Sequence, residues 1–121
     1  MRRLAALALV VAVAAGCGGR EPDPPEVRFG NVEEGRRLID EYGCGACHTI
    51  PGIRGADSLV APPLVHWSRR SFIGGQLANT PENLVRWIQN PQAIEPGTAM
   101  PNLGVSQLEA RDIAAYLFTI R

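Results

Sequence analysis

Apolar positions return every three or four residues in three stretches of the chain. The first runs Val32, Gly35, Leu38, Ile39 and Tyr42, the spacing of one face of an α-helix. Asn31 stands where an N-cap is wanted, Glu34 is placed as its capping-box partner, and Gly43 is a natural stop. A helix over about residues 32–42 is therefore expected. In "NTPENLVRWIQNP" Thr80 is the cap and Pro81 the first helical residue; Leu84, Trp87 and Ile88 share a face, and Pro91 ends the run. "SQLEARDIAAYLFTIR" opens on Ser106 and Glu109 as a second capping box. Leu108, Ile113, Tyr116, Leu117 and Ile120 line its apolar face. No run alternates well enough to predict a strand, so the fold class is all-α.

About thirty residues rich in Gly and Pro separate His48 from Thr80, with one short helix expected near Leu64–Ser68. A loop this long inside a compact domain normally counts against an assignment. It becomes reasonable if the loop wraps a large flat apolar cofactor and packs on that instead of on helices. The chain has 121 residues and seven aromatics. That is enough for one small domain, and small domains often need a staple or a cofactor.

The N-terminus reads as an address. "MRRLAALALVVAVAAGC" has a positive start at Arg2 and Arg3, an apolar run from Leu4 to Ala14, and small residues before Cys17. These are the parts of a secretory signal, and the run is short of the ~20 residues that span a bilayer as a helix. "AAGC" resembles the lipobox of bacterial lipoproteins, with Ala14 where a bulky Leu is usual. Residues 1–16 are expected to be removed and Cys17 to carry lipid, tethering an exported protein to a membrane of the cell envelope. "GGREPDPPEVRFG", residues 18–30, is rich in Gly, Pro and charge and reads as linker. At ~3.3 Å per residue it reaches on the order of 40 Å. Formal net charge is zero and every basic residue is Arg. No basic stripe with interleaved aromatics exists, so nucleic acid is not an expected partner.

"EYGCGACHTIPG", residues 41–52, carries the chemistry. Cys44 and Cys47 are three apart and His48 follows directly; the chain has three cysteines and two histidines in all. A C-x-x-C can be a redox-active disulfide, half of a zinc site or, with His next, an attachment site for c-type haem. A structural zinc site wants four ligands, and only Cys17 and His66 are spare. A redox disulfide wants a buried strand before it, and "NVEEGRRLIDEYG" is not one. The haem has a geometric reason: residues three apart in helical conformation share a face. Two thiols can then reach one side of the ring while His48 turns to the iron. The second axial ligand of such an iron is commonly Met or His. Met100, in the loop "EPGTAMPNLG", is the methionine left after Met1 departs with the signal. His66, in "APPLVHWSRR", is the alternative.

Cys44-x-x-Cys47-His48 after a helix, Met100-Pro101 in a loop, and a last helix ending "AAYLFTI" resemble class I cytochrome c. The likeness runs from about Asn31 to Arg121. The stretch "NTPENLVRWIQNPQAIEPGTAMPNLGVS" is similar to the cytochrome c domain of caa-type oxidase subunit II. The resemblance implies N- and C-terminal helices that cross, long loops wrapped around one covalent haem c, and residues 31–121 as the cytochrome domain. It implies His48 and Met100 as iron ligands and Cys44 and Cys47 as attachment points. "APPL" stands where the family usually has Gly-Pro-x-Leu, so the carbonyl of Pro62 is expected to accept the second ring N–H of His48. Gly35 is expected to let the terminal helices approach, against Tyr116. Trp87 and Arg70 are candidates to reach the haem propionates.

Three functional classes follow. A one-electron carrier has both axial positions filled and no small-molecule substrate; its partners are redox proteins. A haem subunit docked in an oxidase or dehydrogenase differs only in residence time. An enzyme or ligand sensor needs an open iron and a distal acid–base group, for which His66 alone could serve. A carrier without catalysis is the expectation. The lack of lysine argues against strong basic steering toward partners.

Overall fold

The computed structural model describes residues 29–121. The signal segment, Cys17 and nearly all of the linker fall outside the described residues. Four helices are arranged in chain order: α1 (Val32–Glu41), α2 (Pro81–Gln89), α3 (Pro91–Ile94) and α4 (Gln107–Phe118). Between α1 and α2 lie 3₁₀ turns at Cys44–Ala46 and Trp67–Arg69 and a two-stranded hairpin, β1 (Phe72–Ile73) with β2 (Leu77–Ala78).

The terminal helices form the frame. α1 packs across α4, and α2 packs on α4 as well. Gly35 makes the crossing possible: a Cβ there would lie 1.9 Å from the carbonyl oxygen of Asp112. The expected partner, Tyr116, is not what Gly35 meets. The crossing falls one turn earlier on α4, backbone to backbone, and Tyr116 instead reaches the loop after α1, donating from its hydroxyl to the Pro51 carbonyl at 2.8 Å. Gly52 leaves it room, since a Cβ at that position would meet the Tyr116 oxygen at 2.3 Å.

The core holds Leu38 and Ile39 of α1, Leu84 and Ile88 of α2, and Ile113 and Leu117 of α4. The apolar face of α4 is broader than its periodicity predicts, because Ala110, Ala114, Ala115 and Phe118 are buried too. Leu108 departs from that face and is 71 % exposed.

Caps follow the sequence with one exception. Ser106 and Glu109 form the reciprocal box at the start of α4, and Thr80 accepts from the Asn83 N–H. Asn31 caps α1 through the Glu34 N–H, but Glu34 does not return the bond. Its carboxylate pairs with Arg37, while the Asn31 N–H donates to Asp112 Oδ1 at 2.7 Å. A long-range partner has displaced the local one.

Two elements were not legible. β1 and β2 are two residues each, too short for alternation to register, and their turn uses Gly74 and Gly75 at positive φ. Pro91 ends α2 as expected but also opens α3, with the Asn90 side chain accepting from the Ala93 N–H. The short helix expected near Leu64–Ser68 is a 3₁₀ turn displaced to Trp67–Arg69.

Candidate cofactor site

Gly43, in the left-handed region at φ +70°, turns the chain out of α1 and into the 3₁₀ turn that carries Cys44. The His48 N–H donates to the Cys44 carbonyl at 3.0 Å, so the five residues close on themselves. Cys44 and Cys47 are not joined to each other and are both half-buried. Burial pushes the Cys44 thiol up from its usual pKa. Redox-active C-x-x-C cysteines show the opposite shift.

A second segment is laced to this one. The Ala61 N–H donates to the Cys47 carbonyl and the Leu64 N–H to the Thr49 carbonyl, each at 2.8 Å. The Thr49 hydroxyl donates to the Ser58 carbonyl at the same distance. The lacing brings the Pro62 carbonyl to 2.8 Å from His48 Nδ1. A carbonyl can only accept, so Nδ1 carries the proton and the lone pair of Nε2 is left for a metal.

Arg70 holds the same loop from outside. Its Nη2 donates to the carbonyls of Pro63 and Val65, and the guanidinium lies 5.3 Å from the centroid of the Trp67 ring. Asn79 ties the far end, its amide donating to the carbonyls of Trp67 at 3.0 Å and Arg70 at 3.1 Å. Met100 is half-buried against the core edge, in a loop whose local bond runs from its N–H to the Thr98 hydroxyl at 3.4 Å.

Trp87 and His66 take different places. Trp87 is buried in α2, its ring closing over Gly74, where a Cβ would meet it at 2.5 Å. His66 adopts φ +52°, alone among the described non-glycine residues in that region. It lines a cleft of about 410 Å³ with Pro51, Gly52, Tyr116, Ile120 and Arg121. Neither Met100 nor the C-x-x-C-H turn lines that cleft.

The donor set and an orphaned atom bear on the fit of a haem. Two thiols, an imidazole with Nε2 presented and a thioether are the groups such a site needs. Trp67 is 95 % buried, and its Nε1 has no hydrogen-bond partner among the described residues. A buried N–H left unpaired costs ~1–3 kcal/mol, and a haem propionate is an acceptor for it. The residues fit the group. Trp67 joins Trp87 and Arg70 as a candidate for the propionates, and sequence reasoning did not name it. The signal available was its place directly after the "APPLVH" loop, which carries the His48 partner.

Crossed terminal helices, a C-x-x-C-H turn after the first and a methionine loop before the last define a small haem-carrying electron-transfer domain. The chain belongs to the cytochrome c family, whose sequence profile matches residues 32–121. Membership implies haem c and its iron. The chain is 32 % identical over 91 residues to cytochrome c oxidase subunit 2 of Alkalihalophilus pseudofirmus, covering 74 % of this chain and 26 % of that protein. It is 30 % identical over 85 residues to cytochrome c oxidase subunit 2 of Bacillus subtilis, covering 65 % and 24 % respectively. The chain thus spans about a quarter of the length of these relatives.

Proposed function

We propose that the protein is a one-electron carrier holding a single covalent haem c. Cys44 and Cys47 attach the group, His48 and Met100 ligate its iron, and the loops between α1 and α4 wrap it. The observation that carries the proposal is the Pro62 carbonyl on His48 Nδ1, one residue after two unbridged thiols. The haem supplies reversible one-electron chemistry at its iron. Everything else falls to the chain. Pro62 fixes the imidazole proton at Nδ1 and raises the basicity of Nε2. Arg70 and Asn79 hold the loop carbonyls that place Pro62. Trp67 Nε1–H is a donor for a propionate, beside Arg70. With His48 and Met100 both holding the iron, no substrate site would be left at the metal, which makes the protein a carrier in this reading.

Residues 1–16 are proposed as a lipoprotein-type signal and 17–30 as the linker from a lipidated Cys17. The carrier is then exported and held at a membrane of the envelope. Mass spectrometry of membrane-extracted protein tests this, and a mature N-terminus beyond Cys17 rules the anchor out.

The relatives favour a second form of the same reading. Their name is that of an oxidase subunit, so this chain is also a candidate haem subunit docked in an oxidase complex. Both forms are tested by one experiment on Cys44→Ala/Cys47→Ala. A denaturing gel stained for haem should show a covalent band in wild type and none in the double variant. A band that survives the double change overturns the assignment.

A further inference from the structure

The imidazole of His66 makes no hydrogen bond among the described residues, while its backbone is held at φ +52°. Strain of this kind persists only where the surrounding structure imposes it, and such positions gather at binding sites. His66 lines the cleft of about 410 Å³ that lies between Pro51–Gly52, Val65 and the end of α4. That volume falls within the roughly 300–1,000 Å³ of small-molecule sites. The cleft is separate from the cofactor site, since Cys44, Cys47, His48 and Met100 take no part in lining it.

Acceptors around the cleft are spent and donors are not. The Pro51 carbonyl accepts from the Tyr116 hydroxyl at 2.8 Å, and the Gly52 carbonyl from Arg36 Nε at 3.3 Å. The Val65 carbonyl accepts from Arg70, the Tyr116 carbonyl from the Thr119 hydroxyl, and the Ile120 carbonyl from the Ser68 hydroxyl. By contrast, the two Nη groups of Arg36 make no bond among the described residues. Arg121 adds a third cation to the lining, and no carboxylate side chain contributes to it. Glu33 on α1 is the acidic group whose field reaches Tyr116. Burial pushes the Tyr116 hydroxyl up from its usual pKa, Arg36 pulls it down, and Glu33 raises it by less. Positive charge therefore prevails there. The C-terminal end of α4 would oppose an anion, but its Tyr116 and Leu117 carbonyls already accept from the Thr119 and Ile120 N–H groups.

We propose that the His66 cleft binds a phosphate ester, with the phosphate held by His66 and Arg36 and the organic body against Pro51, Val65 and Ile120. The donors belong to separate parts of the chain: Arg36 to α1, His66 to the loop and Arg121 to the segment after α4. A phosphate offers oxygens in several directions to donors placed this way, where a carboxylate offers two in one plane. The cleft is larger than a bare phosphate needs, and its apolar wall contributes only when an ester group covers it. A lipid phosphodiester and a soluble phosphomonoester share this chemistry. The inference goes beyond the electron-carrier reading and does not rest on it.

The test follows backbone amide resonances of the full-length holoprotein in a non-ionic detergent, at constant ionic strength. Three probes are titrated: inorganic phosphate, phenyl phosphate, and dihexanoyl phosphatidylglycerol as monomers. Saturable shifts are expected at Gly52, His66, Tyr116 and Ile120. Phenyl phosphate should bind about tenfold more tightly than inorganic phosphate. Arg36→Gln and His66→Gln should each weaken it by about tenfold, and Arg86→Gln, on α2, should leave it unchanged. Arg36 is an exposed side chain, so its variant keeps the test decisive if His66→Gln fails to fold. Saturation by the phosphatidylglycerol alone upholds the site and gives it to a lipid; saturation by phenyl phosphate alone upholds it and gives it to a soluble ester. The site is overturned if no probe saturates, if binding survives both variants, or if Arg86→Gln weakens it equally. A haem that fails to carry electrons would leave these shifts in place, so the two readings fall separately.

Discussion

The Cα of Gly35 sits so close to the backbone of Asp112 that a methyl group would lie 1.9 Å from its carbonyl oxygen. Backbone cannot give way as a side chain can. Gly35→Ala should therefore separate α1 from α4 and cost about 1–3 kcal/mol, read as a lower urea midpoint at constant slope. Gly43→Ala meets nothing within 4 Å but sits at φ +70°. Its smaller cost, about 1–2 kcal/mol, should come from strain alone.

Met100 is expected to ligate the iron. The ferric protein should show the weak sulfur-to-iron charge-transfer band in the far red. Met100→Ala should remove the band, admit carbon monoxide and lower the midpoint potential, since Met/His ligation raises it. A wild-type protein that lacks the band, with its potential unmoved by Met100→Ala, would end this assignment.

His66 provides the counter-experiment. It lines a cleft away from Met100 and holds φ +52°. His66→Gly should relieve the left-handed backbone and stabilise the protein by about 1 kcal/mol in urea denaturation. The far-red band should stay in place. A wild type that lacks the band, with its spectrum and potential moved by this variant and not by Met100→Ala, would instead make His66 the ligand.

Glu109 gives the acid limb of the stability profile a specific cause. Hydrogen bonds from Ser106, then from Tyr42, hold its carboxyl below the usual range. A depressed carboxylate contributes stability above its unfolded pKa, ~4.3 for Glu, and loses it as pH falls through the lower folded value. Glu109→Gln should lower stability at neutral pH and make the fall below about pH 4.3 shallower. Equal slopes for both proteins, by urea denaturation at stepped pH, would contradict this.

How far the sequence revealed the structure differs by element. α1, α2 and α4 were legible because periodicity, cap and stop agree at each. The Pro62 position was legible only through the family resemblance, since nothing local in "APPL" says which imidazole its carbonyl will meet. The missed contacts are long-range. Asn31 leaves its box partner for Asp112, Tyr116 leaves Gly35 for Pro51, and Leu108 turns outward where its own period puts it inside. Each choice is made by a neighbour some 65 or more positions away or by the edge of the core, and helical spacing contains neither. The hairpin was hidden by its size.

The lacing of the C-x-x-C-H turn to the Pro62 loop also bears on the order in which the molecule assembles. His48 and Pro62 are 14 residues apart, whereas the Asn31–Asp112 bond that locks the crossing spans 81. Closing the longer loop costs roughly 1.5 kcal/mol more chain entropy. Contacts of low sequence separation form sooner. The half that presents both thiols and the imidazole is thus able to organise while the terminal helices are still apart. The cysteines would then be open to modification by an assembly enzyme before the frame shuts, and the late crossing at Gly35 acts as the latch.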